Sequence, residues 1–125
     1  MRRDLVWLLV ALGGSAGTLL RWAVIGAPDP TDWQWPVLAV NAAGALLLGW
    51  SVARGGWPSP DLAPAFGAGF CGGLTTMSTF AVDVAGLARD GHAGLAAWTL
   101  VTTVGVGIGA AAIGASLGRR PAVER

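Results

Sequence analysis

Four long apolar stretches alternate with three short polar ones along the chain. Residues 5–25 are apolar apart from Ser15, Thr18 and Arg21. Residues 35–52 are interrupted chiefly by Asn41, residues 62–87 by a cluster of small and hydroxyl residues, and residues 93–117 by Thr99, Thr102, Thr103 and Ser116. Each stretch suffices for a membrane span, since about 20 helical residues cross the hydrocarbon core. The links carry Pro28 and Pro30, then Gly55, Gly56, Pro58 and Pro60, then Asp90 and Gly91. Such residues end helices and make turns. The pattern predicts an all-α membrane protein. It forms one domain over residues 1–125, with four helices running up and down and both ends on one side.

The third stretch departs from a plain membrane helix. Residues 67–80 read GAGFCGGLTTMSTF, with Gly67, Gly69, Gly72 and Gly73 followed by Thr75, Thr76, Ser78 and Thr79. Each glycine costs about 1 kcal/mol against alanine in a helix interior. A broken helix survives in lipid only where its freed backbone groups face protein, water or an ion. This stretch therefore predicts a helix break that builds a site.

Composition agrees with a polytopic membrane protein. Of 125 residues, 54% are hydrophobic and only 12% charged, about half the charged share of an ordinary soluble domain. The eight arginines are too scattered to form a nucleic-acid surface. Cys71 is the sole cysteine, which excludes an intrachain disulfide and a paired-cysteine metal site. Arg2 and Arg3 ahead of an apolar run resemble a signal peptide, but Arg21 and the glycines of that run read as structural, so retention is expected. Arg2, Arg3, Arg54, Arg119, Arg120 and Arg125 fall on one side of the membrane and Arg89 on the other. By the positive-inside rule, both termini are expected in the cytoplasm. The tryptophans mostly fall near span ends, as interface anchors.

Polar groups inside the spans are the candidates for function. Arg21 either snorkels to the interface or attracts anions into a vestibule. Asn41 either bonds a neighbouring helix or offers its amide N–H groups to an anion. The hydroxyls of Thr99, Thr102, Thr103 and Ser116 can be satisfied by their own helix. Phe80 is either core or an electropositive ring edge facing an anion, and Asp83 lies one turn beyond it. Carbonyls freed at the break suit a hard cation. The pairs Gly13/Gly17 and Gly105/Gly109 have the spacing that lets helices approach closely. Four short spans have little interior of their own, so a dimer or larger assembly is expected. An enzyme is not: His92, the sole histidine, falls in a link, and no acid, base and nucleophile converge.

At these residues the chain resembles the Fluc (CrcB) fluoride channel family. Gly13, Gly14, Gly17 and Arg21 match its GGxxGxxxR pattern. Val40, Asn41, Gly44 and Gly49 match VNxxGxxxxG, and residues 69–80, GFCGGLTTMSTF, lie close to GFCGGxTTFSTF. The resemblance implies a passive fluoride channel of the inner (plasma) membrane: an antiparallel, dual-topology dimer with two pores along its interface. It also implies a structural sodium ion on the two-fold axis, bound by the carbonyls of Gly72 and Thr75. Asn41, Phe80, Met77, Ser78 and Thr79 would line the fluoride pore, with Thr99, Thr102 and Thr103 continuing a polar track, and Arg21 would lie in the vestibule. Three positions depart from the family pattern. Met77 replaces the first pore phenylalanine, Asp83 a glutamate, and Val37 a frequent hydroxyl residue. The arginine bias fits a fixed orientation, as in family members built from two distinct subunits, so the expected partner is either a second copy of this chain or a paralogous subunit. The rivals are a proton-coupled small multidrug transporter, which needs a carboxylate that residues 5–25 lack, and a non-conducting scaffold subunit.

Overall fold

The computed structural model describes residues 3–26 and 34–119. Helix α1 is Arg3–Ile25 and α2 is Trp35–Arg54. The third span is broken. Its first part, α3, runs from Leu62–Pro64 through a wider π-helical coil, Ala65–Cys71, to Gly72–Leu74. Its second part, α4, is Met77–Arg89, and α5 is Ala93–Gly118. Four segments are thus long and apolar enough to cross a membrane: Arg3–Ile25, Trp35–Arg54, Leu62–Arg89 and Ala93–Gly118. The protein is a multi-pass, all-helical membrane protein, with no strand among the described residues.

The turn between α4 and α5 is closed by Gly91, whose φ of 83° is the left-handed conformation that favours glycine at a helix C-terminus. There His92 N–H donates to the Leu87 carbonyl at 2.9 Å.

The helices pack in two close pairs, α1 with α3 and α2 with α5, and α4 lies against α5. Small residues set both contacts. A Cβ on Gly13 would run into the Ala65 carbonyl, one on Gly17 into that of Phe70, and one on Gly73 into that of Gly14. A Cβ on Gly69 would lie 2.7 Å from the Val10 carbonyl oxygen. Gly13 and Gly17 therefore do what their spacing predicts. Gly105 and Gly109 do not: a Cβ on either would meet nothing within 4 Å. On α5 the tight contacts fall to Gly114 against Leu46 and Gly118 against Trp50, with Gly49 of α2 pressed on Ala111. Replacing Gly114 with leucine is expected to cost at least about 1–3 kcal/mol through overpacking against backbone. A thermal-aggregation assay in detergent should show a clear drop in midpoint, whereas Gly105→Ala should leave the single protomer's packing untouched.

Few side chains are buried within one protomer. Val37, Val40, Cys71, Leu74, Phe80 and Ala96 form the apolar core, while Leu12, Leu19, Val82, Val101, Ile108 and Leu117 are exposed. This distribution places lipid, or another subunit, where a soluble protein would have water.

A clamped break in the third span

The break falls at two threonines. The chain is helical through Leu74, then extended at Thr75 (φ −79°, ψ 157°) and Thr76 (φ −142°, ψ 116°). Extended residues inside a membrane span need partners for their backbone groups, and each finds one. Thr75 N–H donates to the Cys71 carbonyl at 3.1 Å. The Thr75 carbonyl accepts from Arg21 Nη1 at 3.1 Å. Asn41 takes both groups of Thr76: its Oδ1 accepts from Thr76 N–H at 2.7 Å, and its Nδ2 donates to the Thr76 carbonyl at 3.1 Å. One primary amide, acceptor and donor side by side, thus replaces two helical bonds. The Thr76 N–H would otherwise have closed a helical bond on Gly72, so the Gly72 carbonyl is released from that role. Gly44, one turn beyond Asn41, lets α2 sit against the Thr75 methyl group.

The restart of the helix is capped by the same residue. Thr76 Oγ1 accepts from Thr79 N–H at 3.3 Å and donates to Thr79 Oγ1 at 3.0 Å, and it lies 3.4 Å from Ser78 Oγ. A threonine N-cap is worth about 1 kcal/mol. Thr76→Val should lower the thermal midpoint accordingly, and Thr76→Ser should restore most of the loss.

Among the sequence candidates, the structure thus gathers Arg21, Asn41, Thr75, Ser78 and Thr79 at one point. Phe80 is buried one turn into α4, Met77 is 73% exposed on the protomer surface, and Gly72 is exposed. Thr99, Thr102 and Thr103 lie on α5 and make no hydrogen bond to this cluster. The expectation that Thr99 bonds back to its own helix is not met: its hydroxyl is buried without a partner among the described residues, as is Asp83 Oδ2 on the neighbouring helix. Ser116 does bond back, to the Ile113 carbonyl at 2.7 Å. Thr76, the N-cap of the restarted helix, is not among the sequence candidates for the site, although a threonine just ahead of an apolar-periodic run is an N-cap signal.

The donor chemistry suits a small anion. Asn41 retains one amide N–H beyond the one bonded to Thr76, and Arg21 retains most of its guanidinium donors. The Ser78 hydroxyl is exposed at the same level. No group of three or more His, Cys, Asp or Glu able to hold a metal occurs among the described residues. The Gly72 carbonyl, released by the turn of Thr76 toward Asn41, fits use as a cation ligand. The Thr75 carbonyl has one lone pair engaged by Arg21 and a second available.

Comparison with known proteins agrees with these motifs. A family model described as "CrcB-like protein, Camphor Resistance (CrcB)" matches residues 8–115. A protein of Mycolicibacterium paratuberculosis named fluoride-specific ion channel FluC 1 is 39% identical over 121 residues, covering 93% of this chain and 92% of that one. One of Deinococcus radiodurans named fluoride-specific ion channel FluC is 38% identical, covering 92% of this chain and 96% of that one. One of Synechococcus sp. named fluoride-specific ion channel FluC 2 is 42% identical over 90% of this chain and 79% of that one. With a matched region spanning all four helices and relatives of nearly equal length, the chain belongs to the CrcB-like family.

Proposed function

We propose that this protein is a fluoride-selective passive channel of the cell membrane that exports cytoplasmic fluoride; it is not an enzyme. The observation that carries this reading is the clamped break at residues 75–76, which concentrates hydrogen-bond donors inside a membrane span. Fluoride is small and strongly hydrated, so a pore must replace its lost water with donors. The spare N–H of Asn41, the hydroxyls of Ser78 and Thr79 and the ring edge of Phe80 can do so without holding the ion on a fixed charge, and conduction needs such weak binding. Arg21 attracts the anion toward the break. Thr99, Thr102 and Thr103 extend the polar path along α5, with the orphaned Thr99 hydroxyl the best supported of the three. Met77 supplies a polarizable thioether but no ring edge. Hydrogen fluoride that enters from an acidic medium dissociates in the more alkaline cytoplasm, and a passive anion path lets it out.

The pores would lie at the interface of an antiparallel dimer. The exposed apolar faces and the open glycines Gly105 and Gly109 support a second subunit. The Gly72 and Thr75 carbonyls of each protomer would hold a central sodium ion, which when bound supplies a structural positive charge. The arginine bias supports pairing with a paralogous subunit of opposite fixed orientation. Topology tags reporting equal populations of both orientations, together with full activity of this chain alone, would establish a homodimer instead. A multidrug-type exchange has no support here, because the sole carboxylate of α1 is Asp4, exposed in its first turn. The export reading is tested by expressing this chain, with any paralogue, in a fluoride-sensitive bacterium lacking its own exporter. Restored growth in fluoride at acidic pH is expected, and no restoration despite membrane insertion would overturn it.

A further inference from the structure

An apolar cavity of about 290 Å³ opens on the protomer surface away from the break, lined by Gly13, Trp57, Leu62, Ala65, Phe66 and Phe70. It lies between α1 and the start of α3, beneath the link from α2. Its Trp57 wall belongs to an aromatic cluster: the Trp57 ring is 6.2 Å from that of Trp50 and 5.6 Å from that of Phe66, which stacks on Phe70 at 5.6 Å. Trp57 Nε1 donates to the Ser51 carbonyl at 3.4 Å, which fixes the indole. On the same two indoles rests the guanidinium of Arg54, 4.6 Å from the Trp50 centroid and 5.1 Å from that of Trp57. Arg54 ends α2, and among the described residues no carboxylate pairs with it.

We infer that this is a binding site for one anionic phospholipid, with an acyl chain in the cavity and the phosphate on Arg54. Charge complementarity selects this occupant. The cavity itself would accept any apolar chain, but a partly buried, ion-unpaired arginine held on aromatic faces at its rim offers cationic donors to an anion, and a bilayer supplies one as a headgroup. The order from Arg54 through Trp57 to the cavity follows that of a lipid from phosphate to tail.

The test is native mass spectrometry of the full-length channel released from vesicles of equal phosphatidylglycerol and phosphatidylcholine. One basic residue near a membrane surface is worth a preference of about fivefold for an anionic lipid, so retained phosphatidylglycerol should exceed phosphatidylcholine by about that factor. Arg54→Gln should abolish the preference and Arg54→Lys should keep most of it. Photo-leucine incorporated at Leu62 should cross-link to a lipid. Equal retention by the unaltered protein, an undiminished preference in Arg54→Gln, or a Leu62 cross-link to a second protein chain instead of lipid would each overturn the inference.

Discussion

Replacing Asn41 with leucine is expected to reduce fluoride flux by at least about tenfold while the protein still inserts and assembles. Leucine keeps the branching and heavy-atom count of asparagine, though its methyl ends are bulkier, so the swap preserves the side chain's shape better than a truncation would. What disappears is the pair of bonds to Thr76. An unpaired buried donor or acceptor costs about 1–3 kcal/mol, and here one of each is left in a membrane span. Because about 1.4 kcal/mol of added barrier is already tenfold in rate, a modest shift suffices. Hydrogen exchange separates the two effects of Asn41: faster exchange at Thr76 reports the lost clamp, and flux reports the lost donor. Unchanged flux together with unchanged exchange would contradict both roles.

Replacing Phe80 with isoleucine is the second large effect. Phe80 is 7% exposed and sits one turn past the capped threonine, so its ring is held by the same restart that Thr76 sets. The swap removes three side-chain carbons, which at about 0.8 kcal/mol per buried methylene costs roughly 2 kcal/mol, so flux has to be counted per folded protein. The aromatic edge, however, has no aliphatic substitute as an electropositive partner for an anion. Flux per folded protein should fall at least about tenfold, beyond any loss of folded protein that a lower thermal midpoint reports. A loss of flux that merely tracks a loss of folded protein would reduce Phe80 to a core residue.

Much of this was legible in the chain. Four spans follow from apolar length alone, and a break in the third follows from its glycines and threonines. The position of the break was less legible because glycine has two uses. Gly69 and Gly73 look like helix breakers, yet both stay helical and serve to bring α3 onto Val10 and Gly14 of α1. The true break falls at Thr75 and Thr76, whose β-branched side chains tolerate extended backbone and whose groups are satisfied from two other helices. Arg21 and Asn41 stood out as polar residues in spans, but their bonds to Thr75 and Thr76 join residues 54 and 35 positions apart, which no local pattern encodes. Gly105 and Gly109 illustrate the converse. Their spacing announces a close contact, and within one protomer that contact is absent.

The central claim is that the donors gathered at the break pass fluoride and little else. The direct measurement is ion efflux from liposomes that contain the purified protein, alone or with a paralogous subunit, loaded with fluoride or with chloride. Rapid fluoride loss once the membrane potential is relieved, with chloride retained, is the predicted result. Equal loss of both anions, or no loss of fluoride from liposomes shown to contain folded protein in either pairing, would contradict it.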